Sequence, residues 1–448
     1  MFQSALLQQF DKLGYAGKIF VTLQTNNYVK MDRLRIGCVT DEVCLRDTAS
    51  IKKIVKEHRI DLLVFPEMHD LTDDLGFPYL PKGETEVFEY EMNWAKEVGC
   101  AIVMGLGKNQ NTNHAFNVFV NPFAKKNETK SQIYIKHTMT DSSAFEWENY
   151  DELYQRMFRP IQFRNWRIGM TICYDGTFPI FSRLYGRQGV DLLVNSTGYD
   201  AKKSKWLKYH KVRSIENHCN SVVTMFCNKD PKKGNPPAYC FNRQGGAIPL
   251  EKCVDDYIYI YEVEYDDGKP EIDEYYDERK GSINNSIDLK IPEGHVEKLI
   301  EKANHIDKNI YCFHHKNRNV ILCLIKGNDI LKPEKVLQLL YNKRLDDIKN
   351  KSFVIVNQYK RLSKSFFQSQ LDTVLKVRAV ENFCAVVLES DKFNKCYQST
   401  YCKDSQIIKP TNGFYGIDLH RTNGPKHTRL HQNKQWNQNI EYLVNKLS

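Results

Sequence analysis

Glu67, Lys136 and Cys173 each close an apolar, strand-like run: Glu67 ends LLVFP, Lys136 ends IYI and Cys173 ends RIGMTI. Ends of buried strands are where α/β folds place reacting groups, with side chains projecting into a shared crevice. A carboxylate, an ammonium and a thiol together can run acyl transfer. The carboxylate takes the proton of the attacking thiol. The ammonium of Lys136 and the backbone N–H of Tyr174 stabilise the developing oxyanion. The departing ammonia or amine collects its proton from Glu67, and water activated by the same Glu67 hydrolyses the thioester. Cys173 stands between a strand and a helix start, where backbone N–H groups and the helix dipole favour a thiolate. Each residue type alone is commonplace, and a buried Cys is far more often structural than catalytic. Their combination and order single them out.

The elements that must position these residues follow in regular alternation from Arg33. LRIGCVT reads as a strand, TASIKKIVKEHRI as a helix and DLLVFPE as a buried strand. ETEVFEYEMNWAKEVG is a helix, and CAIVMGLG, HAFNVFVNP and SQIYIKH are strands. An acidic, aromatic loop runs from Thr140 to about Arg156. PIQFRNWRIGMTICYD reads as a hairpin ending in a buried strand. PIFSRLYGRQG is a helix with Pro179 in its first turn and Gly189 at its end. VDLLVNSTGYD, KYHKVRSIENHC, NSVVTMFCN and YIYIYEVEY continue as strand, helix, strand and strand. This alternation predicts an α/β fold with strands buried on both faces.

VFPE, Y-x-K-H and RIGMTICYDGTFP together resemble the signature segments of the nitrilase superfamily, the carbon–nitrogen hydrolases. The resemblance runs from about Arg33 to Tyr265. It implies a four-layer αββα sandwich built by pairing two subunits, each a two-layer α/β unit. It carries the family's Glu, Lys and Cys onto Glu67, Lys136 and Cys173. A second glutamate of the family lies between the Lys and the Cys. Glu146, Glu148 and Glu152 compete for that place, and spacing back from Cys173 favours Glu148. The C-Y-D context is similar to amidase or carbamoylase branches rather than to true nitrilases, which usually carry C-W-E. Pro179 is followed by Ile180 where amidases commonly continue with Pro-Glu, the usual glycine turn is absent from DELYQRMFRP, and a proline common near VNS is missing. The substrate is therefore open within small amides and carbamoyl compounds. An acyltransferase using the same trio is an alternative. Nothing in the sequence implies a cofactor. His314 and His315 lack metal spacing, and LGYAGK lacks the pattern of a phosphate-binding loop.

The chain has 448 residues, 41% apolar and 27% charged, with a net charge of +9. Its mean hydropathy of −0.55 and this composition exclude a collagen-like or largely disordered chain. No apolar run approaches the roughly 18–20 residues that span a bilayer. The 13 cysteines are odd in number and form no C-x-x-C pair, against a disulfide framework or a four-cysteine zinc site. The start, MFQSALLQQFDKLG, lacks the basic segment of a signal peptide, and a reducing cytoplasm is the expected location.

The charge is unevenly spread. Residues 291–448 hold 26 Lys and Arg against 15 Asp and Glu, and the rest holds 38 against 40. The same segment contains an echo: KVRSIENHC (211–219) returns as KVRAVENFC (376–384), with flanking strands in the same order. The expected organisation is an N-terminal extension (1–32), a nitrilase-like catalytic domain (33–265), a linker (266–290) and a smaller basic α/β domain (291–448) resembling half of the same fold. In this second part NVILCLI runs into Ile325, Lys326 and Gly327 where a nucleophile is expected. Cys323 falls too early, and no counterpart of the Glu67 or Lys136 segments exists. This half-copy is therefore not a second active centre. Its helices are expected to cover the first domain, making an intrachain pseudo-dimer, with an ordinary homo-oligomer as the other option. A competing reading is a non-enzymatic scaffold whose basic part, including HRTNGPKHTRLHQNK, binds nucleic acid or another acidic partner.

Overall fold

The alternation of apolar strands and amphipathic helices resolves into two sheets packed face to face, each with helices on its outer side. The structure, a computed structural model, describes residues 33–41, 47–67, 89–106, 116–138, 158–198, 203–226, 237–264, 289–399, 405–425, 440 and 442–444. The expected N-terminal extension lies outside the described residues. So does the expected linker, except that Leu289 and Lys290 already belong to a strand.

In chain order the first part contains β1 (Leu34–Val39), α1 (Thr48–His58), β2 (Leu62–Val64), α2 (Glu89–Val98), β3 (Ala101–Leu106), β4 (Phe116–Val120) and β5 (Ser131–Ile135). There follow β6 (Ile161–Phe163), β7 (Trp166–Ile172), α3 (Pro179–Arg187), β8 (Leu192–Ser196), α4 (Lys203–Asn217) and β9 (Asn220–Thr224). β10 (Ala238–Phe241), β11 (Lys252–Val254) and β12 (Ile258–Val263) complete it. One sheet has the order β11-β12-β1-β2-β3-β4-β5 and the other β10-β9-β8-β7-β6. The first sheet packs one face, through Leu63, Phe65, Ile102 and Met104, on Ile51, Ile54 and Trp94 of α1 and α2. Its opposite face, with Ile36, Leu62, Val64 and Val103, shares a core with Ile168, Met170 and Val194 of the second sheet. On β1–β3 successive buried side chains alternate between the two faces, which is what lets one strand serve two cores. Hydrogen bonds also join the sheets: Asn117 Nδ2 donates to Thr171 O at 3.2 Å and Thr224 Oγ1 to Val39 O at 2.7 Å.

This is the αββα sandwich that the sequence resemblance implies, with one correction. Both sheets come from residues 33–264 of one chain, so no second subunit is needed to make four layers. The reason is the strand count: twelve strands of this part divide into two sheets rather than one.

The C-terminal part contributes β13 (Leu289–Pro292), β14 (Asn304–Asp307), β15 (Ile310–His315), β16 (Arg318–Lys326), α5 (Pro333–Leu340), β17 (Lys351–Tyr359) and α6 (Asp372–Glu381). It ends with β18 (Ala385–Ser390), β19 (Lys395–Ser399), β20 (Ser405–Ile408) and β21 (Phe414–Ile417). Its sheet has the order β14-β15-β16-β17-β18-β19-β20. The central β16, β17 and β18 are parallel, with antiparallel β15 and β19 on their flanks. β6 to β10 have the same arrangement: parallel β7, β8 and β9, with antiparallel β6 and β10 outside. β7 and β16 both run into a 3₁₀ turn, Cys173–Thr177 and Gly327–Leu331, and then into a helix with a leading proline. Cys173 and Gly327 both have positive φ, 41° and 52°.

α3 and α4 face α5 and α6. Tyr209, Val212 and Ile215 of α4 interdigitate with Val374, Val377 and Val380 of α6. Arg183 of α3 makes a two-pronged ion pair with Glu334 of α5, at 3.0 and 3.1 Å. The far face of the C-terminal sheet is covered by the β13–β21 ribbon, through Leu289, Ile291, Tyr415 and Ile417. Ile215→Ala should lower unfolding free energy by about 2–5 kcal/mol, the ordinary cost of emptying a buried aliphatic site. Denaturant titration reads that loss.

Candidate active site

The two sheets converge where Glu67, Lys136 and Cys173 meet. Glu67 lies three residues past β2, Lys136 directly past β5 and Cys173 directly past β7. The first sheet thus supplies the carboxylate and the ammonium, and the second supplies the thiol. Glu67 N–H donates to Thr197 O at 3.3 Å, pinning the chain after β2 to the end of β8. Lys136 Nζ donates to Glu67 Oε1 at 2.5 Å, and Gly198 N–H donates to Glu67 Oε2 at 3.2 Å. Both side chains of the ion pair are almost fully buried. The trio singled out in the sequence is therefore one cluster.

Its electrostatics differ from the expected preformed thiolate. Cys173 opens a short 3₁₀ turn, and α3 begins only at Pro179, so no α-helix terminus lies at the sulfur. Burial, and then the nearby Glu67 charge, push the thiol up to about 12, against the opposing pull of Lys136 and the Gly198 N–H. Burial works against the charge on Lys136, but the neighbouring Cys173 and Glu67 hold its pKa above the ordinary lysine value. The resting site therefore contains a protonated thiol and an ammonium.

The turn that opens at Cys173 is held from several sides. The φ of Cys173 lies in the left-handed region, a strained choice for a residue with a Cβ. Asp175, fully buried, accepts four hydrogen bonds from the segment around Lys136. They come from Tyr134 OH at 2.9 Å, His137 N–H at 3.1 Å, Thr138 N–H at 2.8 Å and Thr138 Oγ1 at 2.5 Å. This carboxylate ties the thiol's turn to the lysine's strand. Asn195 Nδ2 donates to Thr171 Oγ1 at 2.9 Å, and Thr197 Oγ1 donates back to Asn195 Oδ1 at 2.6 Å. An aromatic and thioether wall of Trp206, Met225, Tyr239 and Phe241 packs against Cys173. Behind the turn, His210 stacks on Trp206, and burial, then Arg213, pull its pKa down to about 3, so it is neutral.

Tyr174 lies in the turn that opens at Cys173, with its ring edge-on to Phe178. Glu146, Glu148 and Glu152 lie outside the described residues. Sequence reasoning missed Asp175, although it sits in the C-Y-D run, because a single Asp carries no period or spacing signal. It also missed Gly105, whose value lies in close backbone approach, and Gly198, whose backbone N–H bonds Glu67. Among the described residues, no group of three His, Cys, Asp or Glu side chains is arranged to hold a metal. No described helix is long and apolar enough to cross a membrane.

A carbon–nitrogen hydrolase family model matches residues 39–232. An omega-amidase, YafV of Yersinia enterocolitica, is 26% identical over 192 residues, 43% of this chain and 69% of that protein. Similar solved structures include a carbon–nitrogen hydrolase from Helicobacter pylori G27, at 14% identity and TM-score 0.38. It is covered to 90% by 52% of this chain. An amidase from Nesterenkonia sp. is 16% identical with TM-score 0.39, covered to 91% by the same share of this chain.

Two outcomes follow from the geometry. A Cβ on Gly105 would lie 2.2 Å from Pro66 O and 2.8 Å from Glu67 Cα, both backbone atoms. Gly105→Ala should therefore displace Glu67 and lower kcat/KM by roughly 100-fold, since ångström-scale misplacement of a reacting group costs about that much. Steady-state kinetics on folded variant checks it. Second, a thiol raised to about 12 gains thiolate about tenfold per pH unit until near that value. Iodoacetamide labelling of Cys173 should still rise from about pH 9.5 to about pH 10.5, where an ordinary thiol has levelled off. Peptide mass spectrometry reads the rate, and a plateau near pH 9 contradicts the assignment.

Proposed function

We propose, from the carbon–nitrogen hydrolase family model that matches residues 39–232, that the chain is a nitrilase-superfamily hydrolase that cleaves a small non-peptide amide or carbamoyl compound through a thioester on Cys173. The domain's chemistry is amide C–N hydrolysis. The observation that carries the finer reading is the convergence of Glu67, Lys136 and Cys173 around one 2.5 Å ion pair.

The steps follow from that geometry. The Cys173 thiol is protonated at rest, so attack on the amide carbonyl requires simultaneous proton transfer to Glu67. The carbonyl oxygen becomes an oxyanion, stabilised by Lys136 Nζ and the Tyr174 N–H. Glu67 returns the proton to the leaving nitrogen, the C–N bond breaks, and ammonia or an amine departs. The acyl group now sits on Cys173 as a thioester. Glu67 then takes a proton from water, the hydroxide adds to the thioester carbonyl, and the carboxylic acid leaves as the thiol is reprotonated. Glu148 is assigned as the second carboxylate, from sequence spacing. The omega-amidase relative is consistent with an amide as the substrate class.

A second reading concerns partners. A cleft of about 560 Å³ is lined by Lys290, Lys302, His314, His315 and Lys316 beside Phe313. It lies in the basic C-terminal part and supports binding of nucleic acid or another acidic partner there. Salt-dependent retention on an RNA or DNA column is its expected signature.

Intact-mass measurement tests the main reading. After mixing with a panel of small primary amides, the wild type should gain one acyl mass, located on Cys173, and release ammonia. Cys173→Ala should show neither. An acyl group that ends on an added amine rather than on water identifies acyl transfer. Ammonia release that survives Cys173→Ala contradicts the mechanism.

A further inference from the structure

The echo between KVRSIENHC and KVRAVENFC has a physical counterpart at the interface of the two parts. Arg213 and Glu216 on α4 meet Arg378 and Glu381 on α6, all four fully or almost fully buried. Each arginine bonds the glutamate on its own helix and the glutamate on the other. Arg213 Nη1 donates to Glu216 Oε1 at 2.6 Å and Nη2 to Glu381 Oε2 at 2.6 Å. Arg378 Nη2 donates to Glu216 Oε2 at 2.6 Å and Nη1 to Glu381 Oε1 at 2.5 Å. The two charges of each sign make a neutral quartet with approximate two-fold symmetry.

The remaining donors of each arginine reach into a turn. Arg213 Nε donates to Gly176 O at 3.0 Å and Nη2 also to Thr177 O at 3.1 Å. Both carbonyls belong to the turn that opens at Cys173. On the other side, Arg378 Nε donates to Ile330 O at 3.0 Å, in the turn that opens at Gly327. The nucleophile turn is thus gripped by Asp175 on the side of Lys136 and by Arg213 on the side of α4. Arg213's reach depends on where its guanidinium is held, and half of its anionic support comes from Glu381, which the catalytic part does not contain.

We propose that Glu381 is a positioning residue for the nucleophile: from the C-terminal part it holds Arg213 against the carbonyls of the Cys173 turn. The C-terminal part, though lacking the catalytic trio, then acts as a built-in partner that sets the geometry of the thiol. Arg378 serves the same arrangement by holding Glu216. The proposal rests on Cys173 being the nucleophile.

The experiment compares two interface variants of the full chain. Glu381→Gln removes the charge that holds Arg213. Glu334→Gln breaks the Arg183–Glu334 pair between α3 and α5, at the same interface but without contact to the Cys173 turn. Both should lower Tm. Glu381→Gln should also lower kcat at least tenfold with KM within twofold, and change the iodoacetamide labelling rate of Cys173 at least fivefold. Glu334→Gln should leave kcat, KM and labelling within twofold. A third variant, Arg378→Gln with Glu381→Gln, restores charge balance. It should recover most of the lost Tm but not the lost kcat. The proposal is overturned if folded Glu381→Gln keeps wild-type kcat and labelling, if both single variants lose activity in proportion to Tm, or if the double variant recovers kcat with Tm. Labelling reads the thiol's setting without turnover, so failure of substrate to acylate Cys173 counts against the catalytic reading alone.

Discussion

The structure depends on keeping an ion pair, Glu67 with Lys136, buried beside a thiol. Removing two such charges from water costs several kcal/mol per ion, offset only when geometry is fixed and further hydrogen bonds are made. The surrounding features supply this. Gly198 N–H occupies the second oxygen of Glu67, and Gly105 lets β3 pass against the backbone of Pro66 and Glu67. The neighbourhood also explains why the thiol is held in its neutral form. Burial and the carboxylate raise its pKa more strongly than Lys136 lowers it. On the proposed mechanism, a base beside the sulfur is then required.

The same constraint orders the larger fold. Because the charges come from one sheet and the sulfur from the other, any sliding between sheets separates them. Asp175 bridges the two with four donors, and Thr197 O receives the N–H of Glu67. Outside the second sheet, α3 and α4 present an apolar seam with buried charges, and α5 and α6 cover it. The unequal halves therefore share one need. The catalytic part has a face that must be covered, and the C-terminal part is built to cover it. The positive charge that dominates residues 291–448 does not reside in this contact, where acids and bases balance.

Much of this was legible in sequence, for identifiable reasons. Strand ends at Glu67, Lys136 and Cys173 are marked by apolar runs that stop at a polar residue. Pro179 and Gly189 bracket α3 because proline suits a first helical turn and the φ of Gly189 is +71°. The recurrence of Arg, Glu and Asn at matching helix positions pointed to the pair α4 and α6. Other features were illegible. That one chain builds both sheets depends on β6 pairing with β7 in a second sheet rather than with β5, which local pattern does not encode. Cys173 reads as a helix-start thiolate because the 3₁₀ turn and the desolvation of the sulfur are tertiary outcomes. Asp175 gains its role from donors some 40 positions upstream. The competition among Glu146, Glu148 and Glu152 falls outside the described residues.

The account's central claim is that Glu67 must take the proton of a half-buried, neutral thiol. The most direct measurement is the single-turnover rate of Cys173 acylation in Glu67→Gln, by rapid quench and intact mass. At neutral pH it should fall by about 10²–10⁴-fold relative to wild type, the usual worth of a general base, and should climb tenfold per pH unit as thiolate forms unaided. Acylation of Glu67→Gln at the wild-type rate, with no such dependence on pH, would contradict the account.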